Sequence, residues 1–263
     1  MTDFKFWTKT ALYRLAPGGY GYYRHLKQFR DYNYLHSRDK HPVRNKHYRG
    51  EEGWRKQSEE ASLRYRDYAN YEEYLTHQKQ KLDEILKLNG GFSNQSIASY
   101  RRTFYRRFKV LPQYLPESAY IICAGARQGT EVEVLQDLGF KNAYGIDLNP
   151  GPDNQWVRPG DFMKLENADN SVDMIYSNCL DHAFDLDAMF KEHARVLKPD
   201  GYVLYDITTV GGGAFEAVEW NSAEAILQAV LHHFKTLLEA NREEAWLWVL
   251  LSGKHSLQAK ADS

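Results

Sequence analysis

The chain has 263 residues, enough to bury a sizeable core in one large domain or two smaller ones. Hydrophobic residues make up 43% and charged residues 26%, the balance of a globular protein. No run of about 18 apolar residues occurs, which excludes a transmembrane helix. The opening MTDFKFWTKT lacks a charged stretch followed by an apolar one, so no secretory signal is expected. Two cysteines, Cys123 and Cys179, exclude a disulfide framework and a four-cysteine zinc centre, and a reducing cytoplasm is the expected location.

The net charge of −1 conceals an asymmetry. Residues 1–117 carry 23 Lys and Arg against 13 Asp and Glu, a net of +10; the remainder carries 11 against 22, a net of −11. Fourteen of the 19 tyrosines also lie in the first part. Two prolines in Leu111-Pro112-Gln113-Tyr114-Leu115-Pro116 interrupt any helix and mark a connector. We therefore expect a basic, Tyr-rich helical extension over 1–117 and a second domain over 118–263.

In chain order, Ala16-Pro17-Gly18-Gly19 reads as a turn, and the polar stretch 31–60, which has no clear period, as loop. From Tyr71 onward, Tyr74, Leu75, Leu82, Ile85 and Leu86 follow helical spacing, and Asn89-Gly90-Gly91 stops that helix. Ser93 or Asn94 would cap a second helix, with Ile97, Tyr100, Phe104, Tyr105 and Phe108 on one face. Arg101, Arg102, Arg106 and Arg107 flank that face and read as a solvated surface, or as the best anion-binding candidates. Residues 119–123 are a short apolar run suited to a strand buried on both faces. A helix over 130–138 ends at Gly139. Strands follow over 143–148 and 171–177, with a short one at 155–157. Leu186, Met189, Phe190, His193 and Leu197 mark a helix, ended by Lys198-Pro199-Asp200-Gly201. A strand over 202–207, a helix over 222–234 and a strand over 245–251 complete the pattern. This alternation implies a parallel sheet with helices on both faces. Ligands in such sheets bind beyond the carboxyl ends of the strands, where strand order reverses.

The first of these strands runs into Cys123-Ala124-Gly125-Ala126-Arg127-Gln128-Gly129-Thr130. Gly125 and Gly129 sit in a strand-to-helix turn, where glycine permits unusual dihedrals and close approach of a ligand to the backbone. The next strand ends near Asp147, 22 residues after Gly125, a spacing at which an acid can accept both hydroxyls of a ribose. Asp161, in Gly160-Asp161-Phe162, could take the exocyclic amine of an adenine with Phe162 packed nearby, or simply cap a helix. Cys123 reads as a small buried hydrophobe.

These stretches, IICAGARQGTEV, YGIDLNP, PGDF and VDMIYSNCLDHAFDLDAMFKEHARVLKPDGYVLYDI, resemble class I S-adenosylmethionine-dependent methyltransferases of the type 11 group. A closer resemblance is to a subset of surface-polysaccharide and specialised-metabolism enzymes, with Gly-Ala/Ser-Arg in the first loop and Ser-Asn-x-Leu-Asp-His after the fourth strand. The resemblance implies an α/β Rossmann-like sheet, mostly parallel, of seven strands with the last one antiparallel, and S-adenosyl-L-methionine as cofactor, released as S-adenosyl-L-homocysteine. It further implies that Gly125, Ala126, Arg127 and Gly129 wrap the methionine part and that Asp147 binds the ribose. Leu148 and Asn149 would flank the adenine, Asp161 and Phe162 contact its edge, and Ser177 and Asn178 line the methionine side. Cys123 stands where many members have an acid, and Arg127 where many have glycine; Arg127 could pair with a carboxylate, including the cofactor's.

Methyl transfer is an in-line displacement, so the protein must align the nucleophile, exclude water and, for an oxygen acceptor, take a proton. His182 has an ordinary pKa suited to that task, and Asp181 could orient it or act itself; the pair could equally only shape the pocket. Asp181, His182, Asp185 and Asp187 could offer ligands to magnesium, but Asp185 reads better as a helix cap and no metal is expected. The Gly211-Gly212-Gly213 run is a lid hinge or plain loop. The basic arm could dock on the acidic part and cover the site, recruit an anionic acceptor such as a glycan, or grip RNA. Interleaved acids at Glu51-Glu52 and Glu59-Glu60, with no RNA-binding module, argue against a nucleic-acid partner. Phe4, Trp7, Tyr22 and Tyr23 leave open a peripheral membrane contact. The expected activity is O-methylation of a saccharide or another small molecule, the alternatives being an RNA methyltransferase and a cofactor-binding protein without turnover.

Overall fold

A computed structural model describes residues 53–55, 62–89, 97–150, 154–208, 215–243 and 246–255. The turn at 16–19, most of the loop over 31–60, the cap at Ser93 or Asn94, the glycines at 211–213 and the aromatic residues Phe4, Trp7, Tyr22 and Tyr23 lie outside these. The described elements are β1 (Leu63–Tyr65), α1 (Tyr71–Asn89), α2 (Ile97–Phe108), β2 (Tyr120–Ala124), α3 (Thr130–Asp137), β3 (Asn142–Asp147), β4 (Val157–Pro159) and β5 (Val172–Ser177). They continue with a short 3-10 turn at Leu180–His182, α4 (Leu186–Val196), β6 (Leu197–Thr208), β7 (Val218–Trp220), α5 (Ala223–Leu231), β8 (Phe234–Glu243) and β9 (Trp246–Lys254). None of the described helices is long and apolar enough to cross a membrane.

Seven strands form one sheet in the order β4-β3-β2-β5-β6-β9-β8. The pairs from β4 through β6 are parallel, and β9 runs antiparallel to both β6 and β8, as expected for the last strand. Alternate residues of β2 feed opposite cores. Ile122 and Ala124 join Leu186, Met189 and Phe190 of α4 and Ile226 and Val230 of α5. Ile121 and Cys123 join Val132 and Leu135 of α3 and Phe104 and Phe108 of α2. Period-2 side-chain alternation makes this unavoidable for a strand covered on both sides. Asp185 caps α4 by accepting the Ala188 N–H at 3.0 Å, and Cys123 is fully buried as expected.

Three expectations change. The expected helix over 222–234 stops at Leu231, and Phe234 opens β8, an edge strand over residues that carried no expected element beyond Phe234. Its run of Lys235, Glu239, Asn241 and Arg242 hides the pattern because an edge strand must carry charge to avoid pairing with other chains. Leu197 pairs with Val172 and so already belongs to β6, with an irregularity before Met174 resumes the register. The pairing of β1 with β7 was not foreseen, since three-residue strands leave no periodicity to read.

The arginines of α2 are not a uniformly solvated face. Arg101 is fully buried, with Asp137 Oδ2 at 2.5 Å from Nη2 and Glu133 Oε1 at 3.0 Å from Nη1. Arg107 Nε lies 3.2 and 3.1 Å from the two carboxylate oxygens of buried Asp206, which also accepts the Tyr176 hydroxyl at 3.1 Å. Breaking such a pair leaves an uncompensated charge inside the protein. Arg107→Met should therefore lower the unfolding free energy in urea by about 3 kcal/mol. Lys191→Met, which removes an exposed pair with Asp187, should change it by less than about 1 kcal/mol; equal effects would contradict this account of the helix.

Candidate active site

From β2 the chain steps outward through β3 and β4, then returns to add β5 and β6 on the other side of β2. Strand order reverses between β2 and β5, and their carboxyl ends open a crevice there. It holds about 470 Å³ of empty space, open solvent at its mouth included. Gly125 follows β2 with φ +79°, and a Cβ on it would stand 2.1 Å from Cys179 Sγ. Gly129, with φ +72°, is the N-cap of α3, where a Cβ would meet Trp156 Cβ at 2.7 Å. Arg127 between them has φ 30°, so the loop turns through left-handed backbone three times in five residues. Asn154 holds it, donating to the Arg127 carbonyl oxygen at 2.8 Å.

Asp147 ends β3 at the crevice. One carboxylate oxygen accepts the Arg127 N–H at 3.0 Å and the other the Asn149 N–H at 2.7 Å. A carboxylate offers about four acceptor positions, so both oxygens keep capacity for a diol. Leu148 and Phe162 provide apolar wall. Asp161 Oδ1 accepts the Met163 N–H at 2.8 Å, and its other oxygen takes a short bond from the Tyr71 hydroxyl of α1. Ser177 is fully buried and donates its hydroxyl to the Ala124 carbonyl oxygen at 3.1 Å, while its neighbour Cys179 lines the crevice. Of the expected cofactor residues, Gly125, Arg127, Asp147, Leu148 and Phe162 form the walls, together with Asn149 and His182. Ala126, Gly129, Asp161, Ser177 and Asn178 are not among the lining residues.

The opposite wall comes from α1, none of whose residues the sequence pattern singled out for the site. Tyr74 and Gln78 line the crevice. The Tyr74 hydroxyl donates to the His182 carbonyl oxygen at 2.9 Å, and Gln78 Nε2 to the Phe215 carbonyl oxygen at 3.0 Å. Tyr68, Tyr71, Tyr74 and Phe184 pack their rings between helix and sheet. His182 Nδ1 faces the Phe215 carbonyl at 3.1 Å and its Nε2 faces Lys81 Nζ at 2.6 Å. Burial, Lys81 and Arg127 push the His182 pKa well below its ordinary value, so the imidazole is neutral. Burial and Glu216 raise the Asp181 carboxyl to about 7, against Lys81. Asp181, His182 and Glu216 offer ligand atoms within 4.8 Å of one another, a spacing that suits a cation, and the cation facing them is the Lys81 ammonium. Glu216 carried no motif and no period; for Lys81 and the wall from α1, helical spacing from Tyr71 was the available signal.

The donor set fits an adenosyl sulfonium. An acid with spare acceptor capacity ends β3 at the crevice, apolar wall adjoins it, and the first loop has no side chain at its closest approach. Glu131, in the first turn of α3 beneath this loop, is 5% exposed, and burial raises its carboxyl to about 8.

A family model described as a methyltransferase domain matches residues 122–205, from β2 into β6. None of the curated proteins matches the chain significantly. Among solved structures, the chain is similar to the Burkholderia thailandensis 1,6-didemethyltoxoflavin-N1-methyltransferase with bound 1,6-didemethyltoxoflavin and S-adenosylhomocysteine. The TM-score is 0.57 and the identity 15%, over 76% of this chain and 99% of that one. It is also similar to an S-adenosylmethionine-dependent methyltransferase from Mesorhizobium loti, at TM-score 0.44 and 16% identity, over 56% of this chain and 97% of that one. At 15% identity the likeness to the Burkholderia enzyme is one of fold.

Glu131 gives a pH test of the loop's foundation. Its folded pKa of about 8 lies above the ordinary 4.5. The favourable contribution of the neutral acid is complete below about pH 4.5 and is lost as pH rises toward 8. Glu131→Gln cannot ionise, so it should match the native stability at pH 4.5 and exceed it by about 4 kcal/mol at pH 8. Parallel urea midpoints for the two proteins across that range would contradict the buried neutral acid.

Proposed function

We propose that this chain, which carries an S-adenosylmethionine-dependent methyltransferase domain of the class I fold, methylates a hydroxyl of a small polar acceptor, a saccharide being the class its site suits best. One observation carries the reading: Asp147 and the Gly125 loop meet at the strand-order reversal and leave an open crevice between them. The cofactor supplies an electrophilic methyl group; the protein's own residues bind, align and deprotonate.

Asp147 would hold the ribose hydroxyls, Leu148 and Phe162 the adenine, and Arg127 the carboxylate. Ser177 and Asn178 end β5 on the methionine side, the first by fixing the Ala124 backbone. Asp181 and His182 then stand at the acceptor end. Their surroundings are polar and ionic, with Lys81, Glu216, Gln78 and the Tyr74 hydroxyl nearby. A hydroxylated acceptor can match such groups, whereas a wholly apolar one would leave them unpaired. The acceptor's proton is taken up within the polar group formed by Asp181, His182 and Lys81. An RNA acceptor loses support, because Arg101 and Arg107 are buried in ion pairs. Both cysteines are free, which agrees with a cytoplasmic location.

Calorimetry with S-adenosylhomocysteine tests the site. Asp147→Ala removes two charge-assisted bonds to the ribose and should weaken binding about 100-fold; unchanged affinity would refute the assignment. Release of S-adenosylhomocysteine from pools of saccharide acceptors tests turnover. There His182→Ala should lower the rate about 100-fold while leaving cofactor affinity within a factor of about three. Binding without turnover on any pool would favour a non-catalytic binder.

A further inference from the structure

Among the described side chains of α1, the face that meets the crevice carries one charged group. Lys81 lies three residues beyond Gln78 and seven beyond Tyr74, so the three project from one side of the helix. Its nitrogen is 2.6 Å from His182 Nε2. The other ring nitrogen faces the Phe215 carbonyl oxygen, and a carbonyl only accepts. The His182 proton is therefore on Nδ1, and Nε2 accepts from Lys81. A neutral amine in that position donates one hydrogen to Nε2 and keeps its lone pair for another partner.

Resting on the methyltransferase reading above, we propose that Lys81 meets the methyl acceptor and takes its proton, with His182 as the positioning residue that aims the amine. The acceptor's oxygen or nitrogen forms a bond to the methyl carbon as the carbon–sulfur bond breaks, its electron pair staying on sulfur. The acceptor's proton goes to the Lys81 lone pair. The positive charge lost by the sulfonium thus reappears as an ammonium beside two carboxyl groups.

The surroundings agree with that role. Asp181 and His182 face the amine from the turn after β5, Glu216 from the approach to β7, and Arg127 and Cys179 from the loops beyond β2 and β5. On α1 itself the neighbouring His77 is engaged with the Tyr68 hydroxyl. Burial and Arg127 pull the Lys81 pKa down to about 8, with Glu216 and Asp181 opposing. A neutral fraction is then present near neutral pH, and it grows as pH rises through 8, where an acceptor hydroxyl needs it.

The test compares S-adenosylhomocysteine with sinefungin, an analogue that carries an amine at the position of the transferred methyl. In the native protein that amine and Lys81 compete for the same acidic groups. Lys81→Met should raise sinefungin affinity relative to S-adenosylhomocysteine by about fivefold at pH 7. Lys79→Met, on the exposed side of α1, should leave the ratio unchanged. An unaltered ratio in Lys81→Met would overturn the proposal. On the unsubstituted protein, competitive acetylation with acetic anhydride, read by peptide mass spectrometry across pH, gives a second readout. Lys81 should label with a midpoint near 8 and be protected by S-adenosylhomocysteine. A midpoint at the ordinary value of about 10.4, or labelling indifferent to S-adenosylhomocysteine, would overturn it. His182→Leu should lower that midpoint, because the ammonium loses a charge-assisted bond, and His182→Gln should restore it; equal midpoints would remove the positioning role. A native protein that bound neither compound would instead refute the methyltransferase reading, and the proposal would fall with it.

Discussion

Two loops meet so closely at the reversal of strand order that one of them must be bare backbone. Gly125 provides it: a methyl group there would overlap Cys179 Sγ, and the residue already occupies left-handed space. Ala124 lies opposite Ser177 in the parallel pair, so the two strands deliver their loops side by side. The Ser177 hydroxyl and the Cys179 thiol both reach the Ala124 carbonyl oxygen, which stitches the loops together. From the far side Asp147 fastens the Arg127 amide. The position of each group around the crevice follows from these few contacts, and no bulky side chain could replace Gly125 without prising the loops apart.

The helical segments before the sheet complete the molecule in two ways. α2 supplies apolar side chains to the same core as α3, and its buried arginines meet acids of α3 and β6. The opposite charges of the two parts of the chain are realised at these contacts as buried pairs. α1 supplies aromatic packing through its tyrosines and three hydrogen bonds to the segments around His182 and Phe215. Tyrosine suits this position because it offers a large apolar ring with a polar tip that finds a partner at the boundary between core and crevice. A fourth contact, Tyr71 on Asp161, ties the same helix to the loop after β4. The wall opposite the sheet edge is thus made by chain that precedes the methyltransferase domain.

Much of this was legible from residue pattern. The central strands are apolar runs bounded by turns, and α4 shows its period and its Asp185 cap. The spacing from Gly125 to Asp147 gave the expectation of a nucleoside site, which needs a bare turn and an acid one strand apart, and both residues line one crevice. β8 was hidden because an edge strand carries charges at positions where a central one carries Val or Ile. Lys81 and Glu216 were hidden for a different reason. They belong to no shared local motif, and only the packing of α1 over the turn after β5 brings them beside Asp181 and His182. Arg101 and Arg107 looked like surface charge since nothing local reveals that acids of α3 and β6 lie across from them.

The most direct test of this account is a crystal structure with S-adenosylhomocysteine bound. The account predicts the ribose hydroxyls on the Asp147 carboxylate, the adenine between Leu148 and Phe162, and the sulfur open toward His182 and Lys81. A nucleoside seated elsewhere, or a sulfur facing away from α1 with the Asp147 oxygens held only by backbone amides, would contradict it.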